Sequence, residues 1–237
     1  SEPPFHEQSG LLISAHWNSV RIPSVKSGNS NSAYKMINSS IPLVELHRHL
    51  DGNVRLETIL DIGRKHNLPL PAEDIERLKP FIQVTDSKSS ILDYFAKFEW
   101  LVKSMVDYDA VHRIAYENVE DASNEGIDYI ELRFSPWFMA EKNGLNPAGI
   151  VEAVIDGVKT GSRDFGVKTN LIGIISRTYG PEIGKKELEA LLTQREQIIA
   201  LDLAGDEIHF SGELFVEHFK RARDAGWLSD PHAGEVC

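Results

Sequence analysis

Residues 43–53 read LVELHRHLDGN. Val44, Leu46 and Leu50 are interleaved with polar residues, the period of a strand with one covered face. Residues two apart in a strand point to the same side, so His47 and His49 project together at its C-terminal end. Arg48 points the other way and is expected to pair outside that face. The segment RLETILDIGRKHN (55–67) then places Leu56, Ile59 and Leu60 on one helical face, with Asn67 as its stop. A strand followed by a helix sets the pattern for everything downstream.

That pattern repeats. IDYIELRFSP (127–136) reads as a strand stopped by Pro136, TNLIGIIS (169–176) as a buried strand, and IIALDLAG (198–205) as another. Between them lie helical stretches. SILDYFAKFEWLVKSM (90–105) and DAVHRIAYENVEDASNEG (109–126) come first, the second ending at Gly126. NPAGIVEAVIDGVKTGSRDFG (146–166) has Asn146 as N-cap and Pro147 at its first position. PEIGKKELEALLTQREQ (181–197) and ELFVEHFKRARDAG (213–226) follow, and WLSDPHAGE (227–235) begins where a fifth strand belongs. Strands separated by helices imply a parallel α/β sheet. Its polar strand ends suit either a (β/α)8 barrel, whose site lies at the C-terminal strand ends, or an open doubly wound sheet. The count is about five βα units, with a long helical insertion after the first. No glycine-rich phosphate loop follows the first strand, which argues against a dinucleotide site.

Residues 1–37 differ. SVKSGNSNSAY (24–34) has no sustained period and little apolar surface, so this stretch is expected to be a flexible leader, with Met36 a possible original start. Residues 38–237 form the folded part. The chain has 237 residues, enough for one sizeable core, and a net charge of −11, which argues against nucleic-acid or anionic-membrane partners. It has one cysteine, Cys237, so no internal disulfide forms, and a cytoplasmic location is expected. No run of about 18 apolar residues is present.

Two imidazoles on one strand face can bind one metal, or they can be two solvated histidines; His232, near another strand end, favours the metal. Such a metal lowers the pKa of bound water to about 7. Hydrolysis then needs a proton donor, and Glu235, three residues beyond His232, is the candidate.

LVELHRHLDGN, IELRFSP, ALDLAGDE and HAGE, in this order and spacing, resemble the adenosine deaminase family, most closely its bacterial members, over roughly residues 40–237. The resemblance implies a (β/α)8 barrel of which about the first five units are present. It implies one zinc ion held by His47, His49 and His232, and hydrolysis of adenosine to inosine and ammonia. Glu235 inherits the role of protonating purine N1. Asp51, with His49, inherits contact with a ribose hydroxyl, and Gly205 offers its backbone to the purine ring. A glycine lets a flat ring approach the main chain, though a tight turn explains it equally. HLDG rather than HLEG favours the nucleoside over free adenine. The chain stops two residues after Glu235, before the family's later histidine and Asp-Asp pair, so this chain alone is expected to be an inactive fragment. The alternatives are an adenine or other purine deaminase, or a truncated non-catalytic binding protein. Pro231, Ser229 and Asp230 are poor strand formers, which leaves the geometry of His232 open.

Overall fold

The computed structural model describes residues 41–83 and 91–234, without the side chains of 91–96. The leader expected over 1–37, with Met36, and the proton donor Glu235 lie outside the described residues. Along the chain run β1 (Val44–His49), α1 (Leu56–His66), α2 (Ile75–Ile82), α3 (Ile91–Lys103), α4 (Tyr108–Asn124), β2 (Tyr129–Phe134) and α5 (Pro136–Glu141). Then come α6 (Pro147–Phe165), β3 (Lys168–Ser176), α7 (Gly180–Leu192), β4 (Ile198–Ala204), α8 (Val216–Asp224) and β5 (Leu228–Ser229).

The five strands pair in parallel in the order β1-β2-β3-β4-β5. The order never reverses, whereas a doubly wound sheet turns back at a switch point. Strands pair about 4.8 Å apart, so a flat sheet would hold β1 and β5 roughly 19 Å apart. Yet the rings of His47, on β1, and His232, just past β5, have centroids 4.7 Å apart. The sheet is therefore curled, and the choice left open by the sequence goes to the barrel: these are five successive units of its wall.

Alternation along the strands separates two faces. On β2, Ile130, Leu132 and Phe134 are fully buried against the helices, each contributing roughly 1.5–3 kcal/mol of burial. Tyr129, Glu131 and Arg133 take the inner face. Outside the sheet, α4 and α6 pack closely because α6 carries glycines where they meet. A Cβ on Gly157 would strike the His112 carbonyl oxygen, and one on Gly161 would lie 2.8 Å from Val119 Cβ. Gly157→Val is expected to cost about 2–3 kcal/mol in overpacking, read from the urea midpoint.

The caps follow the sequence. Asn67 ends α1 in the left-handed conformation, and the Asn146 side chain accepts from Ala148 N at the start of α6. The insertion expected after the first unit is the run α2–α3, which follows α1. Two elements differ from expectation. Pro136 stops β2 but also opens a short helix, α5, capped by Ser135. β5 has only two residues. Among the described residues no helix is long and apolar enough to cross a membrane.

Candidate metal centre

The HRH doublet sits on a bulge. Glu45 pairs with Ile130 and Arg48 with Leu132, so β1 uses one more residue than β2 between those points. The extra residue brings Glu45 and Arg48, three apart, to the same side, where they form a 2.5 Å ion pair. Arg48 also reaches Glu125 at the end of α4. Arg48 thus pairs outside the site, as its parity required, and both histidines are left facing inward.

His232 Nε2 lies 3.0 Å from His47 Nε2 and 3.1 Å from His49 Nε2. Among the described residues these three form a group whose ligand atoms all fall within 4.8 Å of one another. The other nitrogen of His232, Nδ1, stands 2.8 Å from Asp202 Oδ1. A carboxylate there fixes the proton on Nδ1 and leaves Nε2 as a lone pair aimed at the other two rings. Neighbouring nitrogens around a tetrahedral zinc, each about 2.0–2.1 Å from the ion, are about 3.3 Å apart. The observed separations fall a few tenths short of that, so the residues present fit a small divalent cation. Burial, then the Arg133 guanidinium and the neighbouring imidazoles, push His47 down to about 4, which keeps it neutral and able to ligate at ordinary pH.

Arg133 is the floor beneath the triad and is 1% exposed. Its Nη1 donates to Asp202 Oδ2 at 3.0 Å; its Nη2 donates to the Leu46 carbonyl at 3.0 Å and to Asp230 Oδ2 at 2.8 Å. One guanidinium therefore ties β1, β4 and the end of β5 together. Burial pushes the Asp202 carboxyl up, but the hydrogen bond and charge of His232, with Arg133, outweigh this and hold it below the usual range. The polar approach to His232 is explained in the same way. Asp230 N makes the last sheet bond, to the Leu201 carbonyl, so the missing N–H of Pro231 costs nothing. His232 N then turns to Asp202 Oδ1 at 3.1 Å. Glu131, on the same face, accepts from the Tyr129 hydroxyl at 2.6 Å.

Asp51 is 3% exposed and caps no helix. Its Oδ2 accepts from Ser135 N at 3.0 Å, and its Oδ1 lies 3.8 Å from His49 Nδ1. His49 thus turns Nε2 to the triad and Nδ1 towards Asp51. Gly205 has φ +111°, and a Cβ there would meet Thr178 Oγ1 at 2.5 Å, so the turn after β4 requires glycine. Arg177 Nη2 donates to the His232 carbonyl at 2.8 Å, and Glu207 Oε1 accepts from Gly234 N at 2.9 Å. The loop leading to Glu235 is thereby held from the ends of both β3 and β4.

Sequence reasoning missed Asp230, Arg177, Ser135 and Glu187. Glu187 had a signal: it falls on the buried stripe of α7 with Gly184, Leu188 and Leu191, where an apolar residue is expected. Its carboxyl is fully buried and accepts from Ser135 Oγ at 2.5 Å, Ser176 N at 2.8 Å and Trp137 N at 3.2 Å. Burial pushes it up to about 7 against those three hydrogen bonds. Raised above its unfolded value, the group contributes stability that is full below about pH 4.5 and is lost as pH rises through about 7. The stability difference between the native chain and Glu187→Gln is expected to shrink by roughly 3 kcal/mol across that window, measured by urea unfolding at each pH.

The adenosine deaminase family pattern matches residues 42–237. An adenosine deaminase of Shewanella loihica is 56% identical over 202 residues, covering 85% of this chain and 61% of its own length. Among solved structures, an adenine deaminase of Arthrobacter aurescens superposes with a TM-score of 0.74 at 25% identity, over 83% of this chain and 58% of that one. A zinc-bound amidohydrolase of Burkholderia ambifaria gives 0.71 at 26% identity, over 83% and 53%. The chain spans about three-fifths of the length of the curated relatives it matches. The match begins just ahead of β1 and takes in every strand of the curled sheet and the whole histidine cluster: the chain belongs to the adenosine deaminase family.

Proposed function

We propose that the protein carrying this chain is a zinc-dependent hydrolase that converts adenosine to inosine and ammonia. The observation that carries the reading is the convergence of His47, His49 and His232, with Asp202 behind the third, in a chain 56% identical to an adenosine deaminase. The three Nε2 atoms would hold one zinc ion per complete barrel. When bound, the ion supplies Lewis acidity and activates water for attack on a ring carbon. The zinc-bound amidohydrolase of similar fold supports that choice of metal.

The chain's own residues supply the rest. Asp202 holds the proton on His232 Nδ1. Asp51 meets a ribose hydroxyl beside the Nδ1 edge of His49. Gly205 presents its main chain to the purine, and the Arg177 and Glu207 contacts hold the loop that leads to Glu235, which protonates N1. The substrate is a neutral nucleoside rather than a nucleic acid or a membrane lipid, in keeping with a net charge of −11. With one cysteine in the chain, we place the protein in the cytoplasm.

The test uses the full-length protein carrying residues 1–237. Adenosine, adenine and AMP are offered in parallel, with turnover followed by ultraviolet absorbance and zinc measured by mass spectrometry. Adenosine is expected to be the fastest, with zinc bound stoichiometrically. Faster turnover of adenine would reassign the substrate, and full activity without metal would overturn the role of the three histidines.

A further inference from the structure

We propose that Glu187 is a positioning residue for Asp51, acting through Ser135. The inference rests on the reading that Asp51 meets the sugar. Glu187 lies on α7, a helix of the outer layer, yet its carboxyl is fully buried and gathers three donors. Two of them, Ser135 Oγ and Trp137 N, come from the N-cap and the first turn of α5; the third, Ser176 N, closes β3. Ser135 is the junction. Its hydroxyl donates to Glu187 at 2.5 Å, and its backbone N–H donates to Asp51 Oδ2 at 3.0 Å. Its hydroxyl oxygen also accepts from Phe138 N at 3.1 Å, so the residue is held on several sides.

An acidic residue is costly at such a position. Its own partners are satisfied, but a leucine there would have served the helix packing better. What the carboxylate adds is a fixed direction for the Ser135 N–H, and through it a fixed place for one oxygen of Asp51. The other oxygen, 3.8 Å from His49 Nδ1, stays beside the edge of the histidine cluster. Small displacements of such a group weaken binding steeply, because its hydrogen bonds depend on alignment.

The test uses inosine and hypoxanthine, which share a base and differ by the sugar and are not consumed. Calorimetric titration is carried out on the full-length zinc protein and on Glu187→Gln, Asp51→Asn and the double variant. Each single change is expected to weaken inosine about tenfold, the loss of one aligned hydrogen bond to a charged group. Hypoxanthine is expected to move by less than about twofold, and the double variant to be no weaker than either single one, the sign of a shared path. For turnover by Glu187→Gln, KM for adenosine rises while kcat holds. Ser135→Ala cuts the link while keeping both acids, and the same selective loss of inosine is expected. It decides the matter if Glu187→Gln fails to fold. Additive losses, equal weakening of base and nucleoside, or unchanged inosine affinity in Ser135→Ala would overturn the proposal. If Asp51→Asn itself leaves inosine binding intact, the sugar reading has failed. If Asp51→Asn weakens it and Glu187→Gln does not, the positioning role alone has failed.

Discussion

In the full-length protein, His232→Ala is expected to lower bound zinc to under about a tenth of the native content and, on the proposed function, to abolish deamination with it. The effect is large because His232 is the hub of the cluster. Both other rings are placed against its Nε2, at 3.0 and 3.1 Å. Without it, among the described residues, the cluster is reduced to two imidazoles from one strand. Asp202→Asn separates the ligand from its orientation. The amide can present either oxygen or nitrogen to Nδ1, so the tautomer is no longer fixed, and a loss of about 10–100-fold in zinc affinity is expected. Competition with a chromophoric chelator measures both. Native affinity in His232→Ala would remove this residue from the metal set.

The second large effect falls on folding. Arg133→Met is expected to destabilise the protein by roughly 3–5 kcal/mol, because removing one partner strands a buried charge. Asp202 is fully buried and would lose its ion pair with Arg133, keeping the His232 ring as a hydrogen-bond partner. Asp230, which is half-exposed, recovers part of its loss from water. The Leu46 carbonyl, directly before His47, also loses its donor. A fall in Tm of the order of 10 °C follows, and zinc binding weakens with it. Arg133→Lys keeps the charge but cannot span three strands with one planar fork, so its cost is expected to be intermediate. Thermal and urea unfolding of the three proteins, each with and without chelator, gives the comparison. A Met variant as stable as the native chain would show that the guanidinium contributes nothing net.

What could be read from the sequence was what is local. The His47–His49 doublet follows from strand parity, and the Asn146–Pro147 start of α6 from capping chemistry. The stops at Asn67 and Gly126 follow from residues suited to positive φ, and both adopt it. What could not be read depends on partners far along the chain. Asp230 looked like a poor strand former, yet its role is to meet Arg133, 97 residues away. The place of Glu187 on the buried stripe of α7 was legible, but not its partner Ser135, 52 residues earlier. The bulge in β1 was hidden because it shows only in the register with β2. Pro136 was half-read: a strand stop and a helix start call for the same residue, and only Ser135 in front of it marks the second role.

The contact between His47 and His232 joins residues 185 positions apart, one on β1 and one just past β5, strands that are not neighbours in the sheet. An ion held between them is a clasp across a long loop of chain. Clasps of this kind favour the ordered state by restricting the disordered one, and the benefit grows slowly with loop length. The curl of the barrel wall and the chemistry at its rim are then one event. Withdrawing the ion is expected to remove that clasp and lower the stability of the folded state, while Arg133 still ties the same strands together.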